Sequence, residues 1–479
     1  MNATILRPDL CVIGAGAGGL SVAAAAAAMG VPVVLVEKSA MGGDCLNFGC
    51  VPSKALIAAG YAARTMRTAT RLGLEAVEPR IDPAALHAHV RGVIAGIAPT
   101  DSQARFEALG VKVIRAAGRF VSRDMLEAGD FRIKARRFVI ATGSSPAIPR
   151  IPGLETVRFL TNETLFDLES TPSRLIIVGG GPIGVEIAQA WRRLGAAVTL
   201  LEADRALGRE DPELAAVVID QLIREGVDLR ERTSVARVEP AGDGVRAIIE
   251  RDGVESAIEG SHLLIATGRK PNVDGLGLEA AGVAFDNGGV RAKPNLRTTN
   301  RRVYAVGDVV GAAAGGARFT HAANHHAGVV LRATLFRLPA RIVPTLVPRV
   351  TYSDPEIATV GLDEAAAREA GFKPLVLRWP FAENDRARAE RDASGHIKVI
   401  ATRRGRILGA GIVGPRAGEL IPVWQLALTR KLSIGDMAGM IMPYPTLSEV
   451  SRRAAVTGVA RGLRNPWLGR ALRFLRLFG

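Results

Sequence analysis

Leu10-Cys-Val-Ile-Gly-Ala-Gly-Ala-Gly-Gly19 decides the fold of this chain. Four apolar residues, read as a buried strand, run straight into Gly14-x-Gly16-x-x-Gly19. An alanine-rich run, Ser21–Gly30, then leads to a second strand ending in an acid, Val33-Val-Leu-Val-Glu37. The pattern is strand, tight turn, helix, parallel strand. The first glycine permits the turn, the second lets backbone approach a pyrophosphate, and the third lets the helix pack on its strand. The helix start offers free N–H groups and the positive end of a dipole to phosphate. The acid, about 20 residues beyond the turn, is placed to accept from a ribose diol.

The pattern recurs. Leu175-Ile-Ile-Val-Gly-Gly-Gly-Pro-Ile-Gly184 leads through a helix to Val198-Thr-Leu-Leu-Glu202, with Gly179, Gly181 and Gly184 in the same spacing. Each copy has a second echo downstream, Phe138-Val-Ile-Ala-Thr-Gly143 and Leu263-Leu-Ile-Ala-Thr-Gly268. One glycine fingerprint is weak evidence, but two complete copies imply two dinucleotides and an electron path between them. From Pro344 onward the pattern changes to alternating strands (Val347–Tyr352, Lys373–Trp379, His396–Ile400, Ile407–Gly414) with intervening helices, which predicts a separate α+β region.

Composition agrees with a multidomain α/β protein. The chain has 479 residues, too many for one compact core, with abundant glycine and few aromatics. No apolar run is long enough to span a bilayer, and the N-terminus lacks a secretory signal, so a cytoplasmic location is expected. Three cysteines make no disulfide framework, and a close pair in a reducing compartment reads as catalytic. Cys11, within the first strand, reads as core. The formal charge of +15, mostly arginine, is compatible with an acidic partner or simply with a solvated surface; no nucleic-acid partner is expected.

Directly after the first unit comes Gly42-Gly-Asp-Cys-Leu-Asn-Phe-Gly-Cys-Val-Pro-Ser-Lys54. This segment resembles the redox motif of the class I pyridine nucleotide–disulfide oxidoreductases, which include dihydrolipoamide dehydrogenase, glutathione reductase and mercuric reductase. The resemblance extends over essentially the whole chain. It implies two Rossmann-like domains for FAD and NAD(P), a C-terminal α+β dimerisation domain, and a homodimer. The expected division is 1–155 for FAD, 156–275 for NAD(P), 276–343 returning to FAD, 344–462 for the interface, and 463–479 as a basic tail. Cys45 is implied to be the outer, interchange thiol and Cys50 the inner thiol against the flavin. The spacing is read as one helical turn bringing the sulfurs together, with a helix N-terminus and positive charge favouring the thiolate. Lys54 and Glu186 are implied to pair beside the flavin.

Around FAD the resemblance places Gly14, Gly16, Gly19, Glu37 and Gly43, then Gly118, Thr142 and Gly143. From Thr298-Thr-Asn-Arg-Arg-Val-Tyr-Ala-Val-Gly-Asp308 and Phe319-Thr-His-Ala-Ala323 it adds Gly307, Asp308, His321 and Ala322. Around NAD(P) stand Gly179, Gly181, Ile183, Gly184, Glu186, Glu202, Arg205 and Gly268. Glu202 favours NADH, whereas Arg205 is placed to take the 2′-phosphate of NADPH. His325 and His326 lack an acid or cysteine to complete a ligand set, so no metal site is expected.

The sequence departs from its relatives at Met442-Pro-Tyr-Pro-Thr-Leu-Ser-Glu449. Thiol-exchanging members carry a histidine–glutamate acid/base pair there, and here the histidine position is Tyr444, with Glu449 retained. A tyrosine exchanges protons poorly near neutral pH. Mercuric reductases resemble the chain in having tyrosine near that position, but they also carry a C-terminal cysteine pair, and this sequence has no cysteine after Cys50. The expectation is therefore a mercuric reductase-like NAD(P)H oxidoreductase acting on a disulfide or thiol-bound metal. Dihydrolipoamide dehydrogenase is the alternative, and a membrane-docking or redox-sensing flavoprotein the alternative of another class. The acceptor stays open, as does the role of Arg378–Arg386, a dimer contact or a substrate rim. In the tail, Leu468, Leu472, Leu475 and Phe478 share one face of a helix starting near Asn465 and Pro466, beside a row of Arg470, Arg473 and Arg476. Such a helix can lie on an anionic membrane or dock on the protein's own dimer.

Overall fold

The structure is a computed structural model that describes residues 4–311, 316–463 and 466–478. Leu10–Ile13 and Val33–Val36 are buried on both faces, as parallel strands covered by helices must be. They lie inside a five-stranded parallel sheet ordered Val303–Ala305, Arg137–Ile140, Leu10–Ile13, Val33–Val36, Lys112–Ile114. The second unit repeats this plan with Asp228–Arg230, Ala197–Leu201, Arg174–Val178 and His262–Ile265. In both, the strand that ends in Ala-Thr-Gly lies beside the strand that carries the glycine turn. The edge strand Val303–Ala305 shows that the chain returns to the first sheet after completing the second.

The two turns agree in detail. Gly14 has φ +107° and Gly179 φ +114°, where only glycine is comfortable. A Cβ on Gly19 would lie 1.9 Å from the Gly14 carbonyl oxygen, and one on Gly184 1.9 Å from that of Gly179. Each third glycine is thus the contact that seats a helix, Ala17–Ala28 or Pro182–Arg193, on its strand. Just beyond the two Ala-Thr-Gly stops, Ser144–Pro146 pairs antiparallel with Arg269–Pro271 and ties the two units together.

The C-terminal region is a five-stranded antiparallel sheet, Arg349–Thr351, Glu356–Gly361, Ile407–Gly414, His396–Ala401, Leu375–Pro380. Two strands start later than the sequence pattern predicts, at Arg349 rather than Val347 and at Leu375 rather than Lys373. Pro348 and Pro374 precede them, and a residue without an N–H cannot donate to the ladder. Helices Pro422–Arg430 and Glu449–Leu463 cover the sheet, with Trp424 fully buried and its Nε1 donating to Ser451 Oγ at 3.0 Å. Buried Lys398 on this sheet reaches Asp211, Glu213 and Glu364 at 2.8, 3.0 and 3.0 Å, fastening the region to the helix Pro212–Arg224.

Helix Cys50–Arg67 packs between the units. Leu56 shares a core with Val185, Ile187 and Trp191 of the second unit. The start of this helix reaches Glu186 of the second unit through Lys54, and its far half reaches Asp354 of the C-terminal region through Arg64. Among the described residues no helix is long and apolar enough to cross a membrane.

Candidate active site

Cys45 lies in a short helix, Gly43–Asn47, and Cys50 is the first residue of the long one. The two do not share a helical turn, contrary to the reading from spacing. Gly49, at φ −124° and ψ −112°, breaks the helix between them, so a bend rather than a turn brings the sulfurs together. Gly43 has φ +60°, and a Cβ there would lie 2.7 Å from Gly16 Cα. The redox segment therefore leans directly on the first nucleotide turn.

Both cysteines stand as thiols in this structure. The Cys50 thiol is lowered to about 6. A hydrogen bond from the Cys45 thiol is the largest cause, aided by the Thr320 hydroxyl and the Lys54 charge against the cost of burial. Cys45 is raised correspondingly, because its proton is held by Cys50 and its site is partly desolvated. Cys50 Sγ lies 3.4 Å from Thr320 Oγ1, at the start of helix Thr320–Thr334. The thiolate thus sits at the N-terminal ends of two helices. Its stabilisation is complete above the ordinary thiol range and is lost as pH falls through about 6. Thiolate absorbance of the reduced protein is expected to rise with a midpoint near pH 6, and Thr320→Val to move that midpoint upward. A midpoint in the ordinary thiol range would refute the arrangement.

Lys54, one turn along, donates to Glu186 Oε2 at 2.8 Å, as the family resemblance implied. Its ammonium also lies 4.1 Å from the centre of the Tyr352 ring, while Tyr352 N–H donates to Glu186 Oε1 at 2.9 Å.

On the other side Arg269 links three groups. It reaches Asp44 Oδ1 at 3.0 Å, donates to Ser144 Oγ at 2.7 Å, and Ser144 donates to Asp308 Oδ2 at 2.7 Å. Burial pushes the Asp308 carboxyl up, with Ser144 and Arg269 opposing. Gly307 N–H donates to Nδ1 of buried His326 at 3.1 Å, and burial lowers His326 to about 4. His326 is thus a neutral acceptor fixing the Gly307–Asp308 turn. No group of three or more metal-ligating side chains exists among the described residues.

Glu37 accepts from Ala15 N at 2.5 Å and Ser39 N at 2.6 Å. Glu202 accepts from Gly180 N at 2.7 Å and Asp204 N at 3.0 Å. Each acid therefore also clamps its own glycine turn, a role the sequence reading did not include. Arg205 is exposed three residues beyond Glu202, and Ile183 is exposed in the first turn of its helix. Gly118 is buried beside Val36 and Ile13. Thr142 is held by reciprocal hydrogen bonds with Asn272, at 2.7 and 2.9 Å. His321 Nε2 bonds Pro348 O at 2.8 Å and its ring stacks on Phe319, with Ala322 buried behind it.

Tyr444 stands on an exposed loop, 70% accessible, next to the almost fully exposed Ile441. Its hydroxyl donates to Asp385 Oδ2 at 3.1 Å, and that carboxylate pushes the phenol up, with a smaller push from Glu449. Within one chain no hydrogen bond among the described residues joins Tyr444 to either cysteine. Asp385 places the Arg378–Arg386 segment beside this loop.

The backbone suits two dinucleotides. Helices Ala17–Ala28 and Pro182–Arg193 start at Gly16 and Gly181 with no side-chain cap and no acid in the first turn, leaving their N–H groups for phosphate. A Cβ on Gly181, Gly143 or Gly268 would meet nothing within 4 Å, so space stands open along both strand ends.

The profile of the pyridine nucleotide-disulphide oxidoreductase family matches residues 8–327, and that of its dimerisation domain matches residues 347–455. The chain belongs to this family. As a pyridine nucleotide-disulphide oxidoreductase it is an FAD-dependent enzyme that uses NAD(P)H. It is 36% identical over 460 residues to a mercuric reductase of Streptomyces lividans, covering 94% of this chain and 96% of that one. With a dihydrolipoyl dehydrogenase of Geobacillus stearothermophilus it is 31% identical over 458 residues, covering 94% and 96%. Among solved structures it resembles the Cu(II) complex of the HOCl-induced flavoprotein disulfide reductase RclA from Escherichia coli. That match has TM-score 0.84 and 27% identity, over 94% of this chain and 99% of that one. LpdA from Mycobacterium tuberculosis matches with TM-score 0.86 and 27% identity over the same shares.

Proposed function

We propose that this oxidoreductase carries electrons from NAD(P)H to the Cys45–Cys50 pair, which reduces an acceptor that needs no proton from the enzyme. Such acceptors are disulfides with acidic leaving thiols and thiolate-bound soft metal ions. The observation that carries the reading is the low Cys50 thiol, hydrogen-bonded to Cys45; it is supported by Tyr444, which stands where the resemblance implies an acid/base histidine and whose hydroxyl is bound to Asp385.

Gly14, Gly16, Gly19, Glu37, Gly43, Gly118, Thr142, Gly143, Gly307, Asp308, His321 and Ala322 would hold FAD. Gly179, Gly181, Ile183, Gly184, Glu202 and Gly268 would hold NADH, with Arg205 placed for NADPH. FAD held there would supply two-electron transfer between the nicotinamide and the Cys45–Cys50 disulfide. Lys54, fixed by Glu186, keeps positive charge beside Cys50.

The thiol steps balance within the chain. Cys45 gives its proton to the hydrogen-bonded Cys50 thiolate and attacks one sulfur of the acceptor, forming a mixed disulfide and expelling the first thiolate. Cys50 releases that proton to water, and its thiolate then attacks Cys45 Sγ, reforming the Cys45–Cys50 bond and expelling the second. Each leaving thiolate takes its proton from water. In a homodimer, Tyr444 of the partner subunit and Glu449 of the partner subunit would stand over Cys45 and orient the acceptor without transferring a proton.

An anaerobic acceptor panel tests this. 5,5′-Dithiobis(2-nitrobenzoate) and thiol-bound Hg(II) should be reduced readily, and lipoamide about 100-fold more slowly or worse, which is what a missing general acid costs. Tyr444→His should raise lipoamide turnover roughly tenfold or more and leave the aromatic disulfide unchanged. Lipoamide turnover equal to that of the aromatic disulfide in the unaltered enzyme would contradict the proposal.

A further inference from the structure

The family's dimerisation domain matches only as far as residue 455. Beyond it the chemistry changes. From Val450 to Gly479 the sequence has seven arginines and no aspartate, glutamate or lysine. Helix Pro466–Leu475 lies here, roughly 15 Å long. At helical spacing Trp467, Ala471, Leu472, Phe474 and Leu475 fall on one half of its circumference, and Arg470 and Arg473 on the other. Arg476, Leu477 and Phe478 continue past its end. Asn465 and the side chain of Leu468 lie outside the described residues.

The apolar half faces outward. Trp467 is 72% exposed and Phe478 74%, and Leu472, Phe474, Leu475 and Leu477 are all more than half exposed. Phe474 and Phe478 meet edge to face at 5.2 Å, and Arg470 lies 4.9 Å over the Trp467 ring, so these rings form one continuous surface. Single exposed leucines are ordinary on proteins, but six large apolar side chains on one short segment are not.

The occupant must satisfy both faces. The same segment of a second copy would set seven arginines against seven with no acid between them. A nucleic acid would neutralise the arginines but leave the aromatic and leucine face in water. An anionic bilayer does both, taking apolar side chains below its phosphates and cations at their level.

We propose that the helix Pro466–Leu475 and its extension to Phe478 dock flat on an anionic membrane surface. Trp467, Leu472, Phe474, Leu475 and Phe478 enter the acyl boundary, and Arg470, Arg473 and Arg476 lie among the phosphates. The oxidoreductase is thereby held at a membrane with its nucleotide sites in water.

Vesicle co-sedimentation of the full holoprotein tests this, with phosphatidylcholine vesicles containing about 30% phosphatidylglycerol against pure phosphatidylcholine. Three variants accompany it: a chain ending at residue 463, Arg470→Glu/Arg473→Glu/Arg476→Glu, and Phe474→Ser/Phe478→Ser. Each variant, and removal of the anionic lipid, should weaken binding roughly tenfold or more, while turnover of a soluble aromatic disulfide persists. Equal binding by the full and shortened chains overturns the proposal. So does equal binding to both vesicle types, or loss of a larger oligomer on shortening without vesicle binding by the full chain. If the shortened chain fails to fold, the two point-substituted variants decide. Disulfide turnover is read separately, so failure here leaves the proposed reaction standing.

Discussion

Cys50→Ser is expected to lower NAD(P)H-driven disulfide turnover by about 1,000-fold or more, because neither step of thiol exchange survives without the second sulfur. A serine hydroxyl cannot resolve the mixed disulfide on Cys45, and it forms no bond that stores two electrons. The change should cost little stability. Cys50 is exposed at a helix start, and serine can keep the contact to Thr320 Oγ1. The expected result is a melting temperature within a few degrees of the parent, roughly 1 kcal/mol at most, with turnover near the detection limit. Cys45→Ser should also abolish turnover, but it leaves the Cys50 sulfur in place without the thiol that lowers it. Its Cys50 should therefore titrate above pH 6. Turnover by Cys50→Ser within tenfold of the parent would show that electrons leave by another route.

The second large effect separates the glycines of each turn. Gly184→Ala puts a Cβ 1.9 Å from the Gly179 carbonyl oxygen, a backbone atom that cannot step aside. The helix must retreat from its strand, and the cost should exceed the roughly 1–3 kcal/mol of ordinary overpacking. Gly19→Ala repeats this in the first unit, at 1.9 Å from Gly14 O, and should yield protein that loses flavin on purification. Gly181→Ala is the control. Its Cβ meets no protein atom within 4 Å, so the fold should be unchanged. The methyl group would instead stand where a pyrophosphate approaches, and KM for NAD(P)H should rise roughly tenfold, about 1.4 kcal/mol of binding. Unchanged KM in a well-folded Gly181→Ala protein would remove the second dinucleotide from that turn.

These contrasts also show which features a sequence makes legible. The two turns, their helices and their parallel strands could be read because each is a local pattern of glycine spacing and apolar runs. The Lys54–Glu186 pair, 132 residues apart, could be read only through resemblance. Thr320 has no local signal for its role, since its contact with Cys50 spans 270 residues. Arg269 follows directly on the second Ala-Thr-Gly stop, yet its bridge from Asp44 to Ser144 and Asp308 depends on how two strand ends meet. The adjacent His325 and His326 look like metal ligands in sequence, whereas His326 accepts from the buried Gly307 N–H, a backbone contact with no sequence signature. The late starts at Arg349 and Leu375 were available in principle, since Pro348 and Pro374 are plain in the sequence. The helical turn assumed between Cys45 and Cys50 failed because Gly49 breaks it.

The central claim is that Cys45 and Cys50 receive the electrons of NAD(P)H. The most direct measurement is anaerobic titration of the oxidised holoprotein with NADH or NADPH, followed by alkylation and mass-spectrometric location of the labels. The account predicts that Cys45 and Cys50 gain label together as reductant is added, with the buried Cys11 unlabelled throughout. Bleaching of the flavin while residues 45 and 50 stay linked and unlabelled would contradict it.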